Sequence, residues 1–314
     1  MKGFNIYKNF ILRKSLKDIY HNQGYMIFKS LISEQKIKKI LEELSTFKKS
    51  NKLYYSQSEH NWRRIKGDLD EYGLLECSFE NFTDLPWAIN LSKSGRDILQ
   101  SHEILNALRS ISKHKDFCMW QNMFFDKSTG TIDHIDTWYL DTNPMGELFG
   151  AWVALEDIKG DGGTFHIYPK SHLSKNKEWI NTSHNNFRDW SETESKKYEK
   201  KPLNLKRGDL LIWHPSLIHG SSLQISKGFS RKSLTAHYHP INLLRSKGGA
   251  KILNKEDYKV KLLRQKKLMR SYGYEIYARA SKREIFKFAG IGILKYLLGG
   301  IINQPKNLMN RKNY

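Results

Sequence analysis

The chain has 314 residues, 39% of them hydrophobic, which is enough for one large domain with appendages or for two domains and too many for global disorder. Its two cysteines, Cys77 and Cys118, stand far apart, which excludes a disulfide framework and a cysteine-rich zinc site and fits a reducing, cytoplasmic compartment. The formal charge is +21, and after Pro240 18 Lys and Arg stand against 4 Asp and Glu, so two thirds of the excess lies in that last segment.

The opening stretch MKGFNIYKNFILRKS is split by Lys8 and has no uninterrupted apolar run, so a cleaved signal peptide is not expected. Gly24 then opens the short apolar run Tyr25, Met26, Ile27, Phe28, which reads as a strand between helices. Ser33 precedes the next helix, but Lys36 stands where a capping box wants an acid, so the cap is half formed. Ile37, Ile40, Leu41 and Leu44 give that helix one apolar face. Residues 85 to 115 read as mostly helical.

Between Asp116 and Pro240 the period changes. CMWQNMFF, FGAWVALE, GTFHIYP, GDLLIWHP and SLTAHYH are short apolar runs punctuated by Gly, Asp, Asn or Pro, which predicts an antiparallel sandwich or barrel. The polar stretch from Leu173 to Lys201 is too long for a hairpin turn and reads as a functional loop or a small helical excursion. After Pro240 helical spacing returns, with Tyr258, Leu262, Leu263 and Met269 on a lysine-rich background. Phe288 to Ile302 is apolar but short and interrupted by Lys295; a spanning helix needs roughly 20 apolar residues, so it lies on a membrane or packs against the body. The basic excess is either a solvated face or a contact for an anionic partner: a membrane surface, a polyanion or a phosphorylated substrate. No nucleic-acid-binding motif is recognisable.

One stretch raises a chemical question. TIDHIDTWYLD sets His134 and Asp136 two residues apart, with Asp133 before them and Trp138 and Tyr139 after. It is an ordinary polar strand edge or two thirds of a metal site. In a strand, residues i and i+2 share a face, so His134 and Asp136 project together and Ile135 turns away. GDLLIWHPSLIHGSS offers two histidines for a third ligand. Pro215 pushes His214 out of ladder pairing, whereas His219 ends an apolar run at a strand's edge and is the expected ligand. Two histidines and one carboxylate on one face of an octahedral iron(II) leave three positions open, two for a chelating keto acid and one for O2. The keto acid's second carboxylate needs a fixed cation. Arg231, at the start of the next strand, can grip it through two parallel hydrogen bonds, while Lys232 faces the other way. Each of these signals is common alone; the ordered set is not.

NQGYMIFKSLISEQ, HID, AWVALEDIKGDGGTFHIYPKSH, GDLLIWHPSLIHGSS and SRKS, between about Tyr20 and Pro240, together resemble the phytanoyl-CoA dioxygenase family of iron(II)- and 2-oxoglutarate-dependent oxygenases. The resemblance implies a mainly β double-stranded β-helix, a jelly-roll or cupin-like barrel with flanking helices. It divides the chain into an oxygenase domain over 1–240, with the barrel core at about 116–240, and a basic helical carboxy-terminal extension over 241–314. It implies His134, Asp136 and His219 as iron ligands, and Arg231 as the anchor for the distal carboxylate of 2-oxoglutarate. Ser221, Trp152 and Met123 match positions lining the co-substrate pocket; Gln121, Trp138 and Tyr139 are substrate-side candidates, with aromatic core packing as the alternative.

Two departures stand out. The usual Gln between His and Asp is Ile135, and the family's Pro-Gly-Ser-His turn reads Pro169-Lys170-Ser171-His172, where lysine tolerates positive φ poorly and the turn is expected to differ. His166 and His172 read as turn residues, and His237 and His239 as core or edge residues more than pocket residues. In halogenating relatives a small residue replaces the carboxylate, so Asp136 argues for hydroxylation of an unactivated carbon, with succinate and CO2 released from 2-oxoglutarate and O2. The substrate is a small or acyl-type molecule, its anionic character and any peripheral membrane contact resting on the basic tail. The alternative is a non-catalytic jelly-roll scaffold whose tail grips a polyanion or a membrane surface.

Overall fold

Leu210 and Ile212 pack with Ile37, Ile40 and Leu44 of a helix, while Leu211 and Trp213, between and beyond them, pack with Trp152, Phe165 and Ile167. A strand whose two faces are both covered reads as a continuous apolar run, and LLIW is one. This alternation generates the layers of the protein: helices outside, a large sheet, an inner core, then a small sheet.

The computed structural model describes residues 16–50, 53–56, 64–246, 255–272 and 275–276. The expectations for the amino-terminal stretch and for Phe288 to Ile302 lie outside these residues. In chain order come α1 over 16–23, β1 (Tyr25–Phe28), α2 (Glu34–Lys48), β2 (Tyr54–Ser56), β3 (Arg64–Lys66), β4 (Phe79–Glu80), α3 (Ile89–Leu99) and α4 (His102–Ile111). The central part holds β5 (Phe117–Phe125), β6 (Thr129–His134), α5 (Asp136–Tyr139), β7 (Asp141–Asn143), β8 (Phe149–Ala154), β9 (Phe165–Ile167), α6 (His184–Ser195) and β10 (Lys201–Leu203). The remainder is β11 (Leu210–Trp213), β12 (His219–Leu223), β13 (Ser233–Pro240), β14 (Leu244–Ser246), α7 (Lys255–Tyr272) and β15 (Glu275–Ile276).

The large sheet runs β1-β11-β8-β13-β5-β4-β2-β3, with β15 also on β5; the small one runs β10-β9-β12-β6; β14 and β7 form a separate pair. The pairings among the described strands are antiparallel. Two facing antiparallel sheets with helices on the outer face of the larger are the jelly roll the sequence implied. All five apolar runs of the central region hold strands: β5, β8, β9, β11 and β13.

The polar insertion is a helical excursion. Ser183 caps α6, its hydroxyl accepting from the Asn186 N–H. Phe187 of α6 joins Ile135, Tyr168, Trp179 and Ile218 in a third apolar cluster. Ser33 is the α2 N-cap but makes no side-chain cap bond. Lys170 adopts the left-handed conformation, at φ 68° and ψ −3°, at the position where the resemblance expects glycine. The extension is more than helix: β14 pairs with β7, and the Tyr258 hydroxyl of α7 donates to Asn143 O. Leu263, one of the residues at helical spacing there, is 68% exposed.

Burial of titratable groups sets an acid response. Burial, then the neighbouring His172, lowers His214 to about 3; burial, then Arg245, does the same to His239. Both folded pKa values lie below the ordinary 6.5, so the stability these neutral rings contribute is present above pH 6.5 and lost as the pH falls towards 3. Asp141, raised to about 6 by burial against hydrogen bonds from Thr142 and Gly146, acts oppositely by taking up its proton first in the folded state. Urea unfolding at pH 5 is therefore expected to show a loss on the order of 2 kcal/mol per buried histidine relative to pH 7. Asp141 offsets part of it, and His239→Gln is expected to flatten the slope; an unchanged slope in that variant would contradict the assignment.

Candidate metal centre

Strand β6 ends at His134, Ile135 remains extended at φ −116° and ψ 142°, and Asp136 begins the short helix α5. The shared face expected of His134 and Asp136 is thus kept although Asp136 is not itself in a strand. Ile135 turns into the third apolar cluster. His219 lies at a strand's edge, as the first residue of β12, and His214 to Ile218 form the connection from β11. In the small sheet His219 stands directly opposite His134, and the register slips by a bulge just beyond it.

The imidazole rings lie 4.3 Å apart, and their Nε2 atoms are 3.8 Å (His134) and 3.7 Å (His219) from Asp136 Oδ1. His134 Nδ1 is 2.8 Å from Ile132 O and His219 Nδ1 is 2.9 Å from Leu217 O. A carbonyl oxygen only accepts, so each Nδ1 carries the hydrogen and each Nε2 keeps a lone pair facing Asp136 Oδ1. Burial, then the neighbouring His134, lowers His219 to about 3, which keeps that lone pair available at neutral pH. Burial alone would raise Asp136, but His237 and His219 outweigh it and hold the carboxyl below the usual carboxylate range. Among the described residues these three are the group able to hold a metal ion.

The other oxygen of Asp136 is engaged elsewhere. The Trp213 indole N–H donates to Oδ2 at 2.8 Å, and His237 Nε2 lies 3.2 Å from the same atom. Gly150 makes this possible: a Cβ there would meet the Trp213 ring at 2.1 Å. His237, read from the sequence as a core or edge residue more than a pocket residue, is buried on β13 and also abuts a ligand candidate. The available signal was its spacing, six residues beyond Arg231 on a strand whose alternate residues face the inner layer.

Arg231 is 2% exposed, with its guanidinium over Phe125 at 5.7 Å and over Trp152 at 5.8 Å. Its Nε and Nη1 have no hydrogen-bond partner, and among the described residues no carboxylate pairs with it. Burial lowers it to about 10. A buried guanidinium without an anion is costly, so the site fits a carboxylate ligand. Lys232 turns outward to Glu156 at 3.1 Å, as expected.

Ser221 lies two residues beyond His219, its Oγ accepting from the Thr131 N–H. Met123 stands opposite Thr235 and Gln121 opposite His237, where β5 pairs with β13. Tyr139 is 5.9 Å from the His134 ring, and its hydroxyl is 3.2 Å from His184 Nε2. Trp138 stacks on Phe187 at 4.6 Å. His166 Nε2 and the Tyr168 hydroxyl both bind Asp133, at 2.5 Å each, and His172 Nε2 meets His21 O at 2.8 Å.

A family model described as phytanoyl-CoA dioxygenase (PhyH) matches residues 20–233. The peroxisomal phytanoyl-CoA dioxygenase of Bos taurus is 22% identical over 260 residues, covering 75% of this chain and 71% of that protein. The epimerase SnoN in complex with Fe3+, alpha ketoglutarate and nogalamycin RO matches with a TM-score of 0.55 at 14% identity, over 77% of this chain and 91% of that one. EctD from S. alaskensis with 2-oxoglutarate and 5-hydroxyectoine matches with a TM-score of 0.53 at 12% identity, over 75% and 78%. At these identities the two solved structures speak for the fold. The family model runs from α1 to the first residue of β13 and takes in all three clustered side chains and Arg231, so this chain belongs to the phytanoyl-CoA dioxygenase family.

Proposed function

We propose that this dioxygenase uses iron(II) and 2-oxoglutarate to hydroxylate an unactivated carbon of a small or acyl-type substrate. The observation that carries the reading is the pairing of two locked imidazoles around one carboxylate oxygen with a buried, unpaired guanidinium. Ferrous iron bound with 2-oxoglutarate supplies the chemistry that activates O2, splits the keto acid to succinate and CO2, and leaves one oxygen atom for a C–H bond. His134 and His219 offer Nε2 lone pairs, and Asp136 offers Oδ1. These donors would hold the ion from one side, leaving room for co-substrate and O2. Arg231 holds the distal carboxylate of 2-oxoglutarate. The Ser221 hydroxyl hydrogen remains free to donate towards it, and Trp152 and Met123 close the pocket against water. Gln121, Tyr139 and Trp138 border the substrate side, Trp138 from its stack on Phe187. The test is metal analysis of protein loaded with iron(II) without oxygen, followed by succinate measurement on admission of air; protein that neither retains iron nor forms succinate would refute the reading.

The oxygenase domain spans 1–240 and the basic extension 241–314, a division supported by where the family match stops. A cytoplasmic site of action is supported by the low cysteine content, two in 314 residues. Separately, no described helix is long and apolar enough to cross a membrane. Exposed Lys259, Lys261 and Arg264 of α7, beside the exposed Val260 and Leu263, support peripheral contact with an anionic lipid surface. Truncation at Pro240 would also remove β14 and α7, which bond to β7, so substitution is the cleaner test. Replacing all three basic residues with Gln is expected to weaken binding to vesicles of phosphatidylserine and phosphatidylcholine by at least about tenfold at low salt. Equal sedimentation of both proteins would remove the lipid contact from the proposal.

A further inference from the structure

Each oxygen of a carboxylate can take a metal, and a carboxylate free to rotate can present both. Asp136 is not free in this way. Oδ1 faces the two ligand histidines at 3.8 and 3.7 Å, whereas Oδ2 is bounded by Trp213 Nε1 at 2.8 Å and His237 Nε2 at 3.2 Å. These four groups come from four elements: His134 from β6, His219 from β12, Trp213 from β11 and His237 from β13. Trp213 reaches its place only because residue 150 is glycine. His237 is 4% exposed, and neither ring nitrogen has an aligned hydrogen-bond partner among the described residues. Its Nε2 approaches Oδ2 at ion-pair distance, so the carboxylate is the polar group this buried ring has to answer it.

We propose that His237, together with Trp213, is a positioning residue that restricts Asp136 to one-oxygen ligation. The Trp213 N–H donates to Oδ2 and His237 Nε2 stands against the same atom, so the carboxylate gives the metal Oδ1 alone. A carboxylate binding through both oxygens would fill a fourth coordination position. Two would then remain, enough for a chelating keto acid but not for O2 as well. His237 thereby protects the place where O2 binds without touching it. The inference rests on the metal-site reading above and goes beyond it.

The test uses the full chain and Co(II), a spectroscopic probe whose visible spectrum reports coordination number. His237→Phe keeps the ring volume and removes the donor; His237→Gln keeps a donor. His237→Phe is expected to weaken Co(II) binding about 10- to 100-fold and to change the Co(II) spectrum. His237→Gln is expected to restore most of both, and all three metal-free proteins are expected to melt together. Co(II) affinity and spectrum in His237→Phe equal to wild type would overturn the proposal. Phe and Gln variants that weaken binding equally, in step with lower metal-free melting temperatures, would also overturn it by assigning His237 to packing. Failure of the unsubstituted protein to bind Co(II) is a separate result, which removes the metal site itself.

Discussion

Asp136→Ala is expected to abolish iron(II) binding and to lower succinate formation by roughly 10³-fold or more, with the fold retained. Asp136 is the anionic member of the ligand set, so its removal leaves a doubly charged ion with two neutral imidazoles at a buried site. The substitution has a second effect. The Trp213 N–H and His237 both lose the oxygen they address, and a buried unsatisfied donor costs about 1–3 kcal/mol. Asp136→Asn separates the two effects, since its amide oxygen can still accept from Trp213 while the charge is gone. Circular dichroism checks the fold, metal analysis the binding, and succinate the turnover. Near-normal turnover in Asp136→Ala would refute the ligand assignment.

Arg231→Ala is expected to raise the 2-oxoglutarate KM by about 10²- to 10³-fold, the effect of truncating one partner of a buried charge pair, with a smaller change in kcat. The same substitution is expected to leave the co-substrate-free protein as stable as before, or more so. That sign follows from the environment: the guanidinium is buried between Phe125 and Trp152 with two nitrogens unpaired, so desolvation opposes it until an anion arrives. Arg231→Lys keeps a charge but loses the planar fork and is expected to recover only part of the affinity. A structural arginine would behave in reverse, with stability falling and KM unchanged. Melting temperature and 2-oxoglutarate titration, measured on the same preparations, distinguish the two.

Legibility differed from element to element for physical reasons. The LLIW and FGAWVA runs were readable as strands because both of their faces are covered, which leaves no polar position to break them, whereas β5, β9 and β13 carry Gln121, His166 and His237 and were readable from their length and punctuation. Strand β6, TGTIDH, is largely exposed, and β12, HGSSL, is small and polar, so neither shows a strand signal of its own. The ligand-bearing strands were therefore found through chemistry, by His-x-Asp spacing and a later histidine before glycine, and not through hydropathy. Lys170 illustrates the opposite limit. A residue that disfavours positive φ still takes it, because Lys170 N–H bonds to Gln23 O and the turn is held from outside.

The sequence by itself determined the family, the jelly roll, the three clustered side chains and the arginine, because local chemistry and strand periodicity are written in consecutive residues. Only the tertiary structure decided which face of Asp136 is free. Trp213 and His237 are distant from it in the chain, and their convergence depends on strand order, on the register that sets Gly150 beside Trp213, and on side-chain rotamers. Those are properties of packing between strands, and no spacing within one strand encodes them.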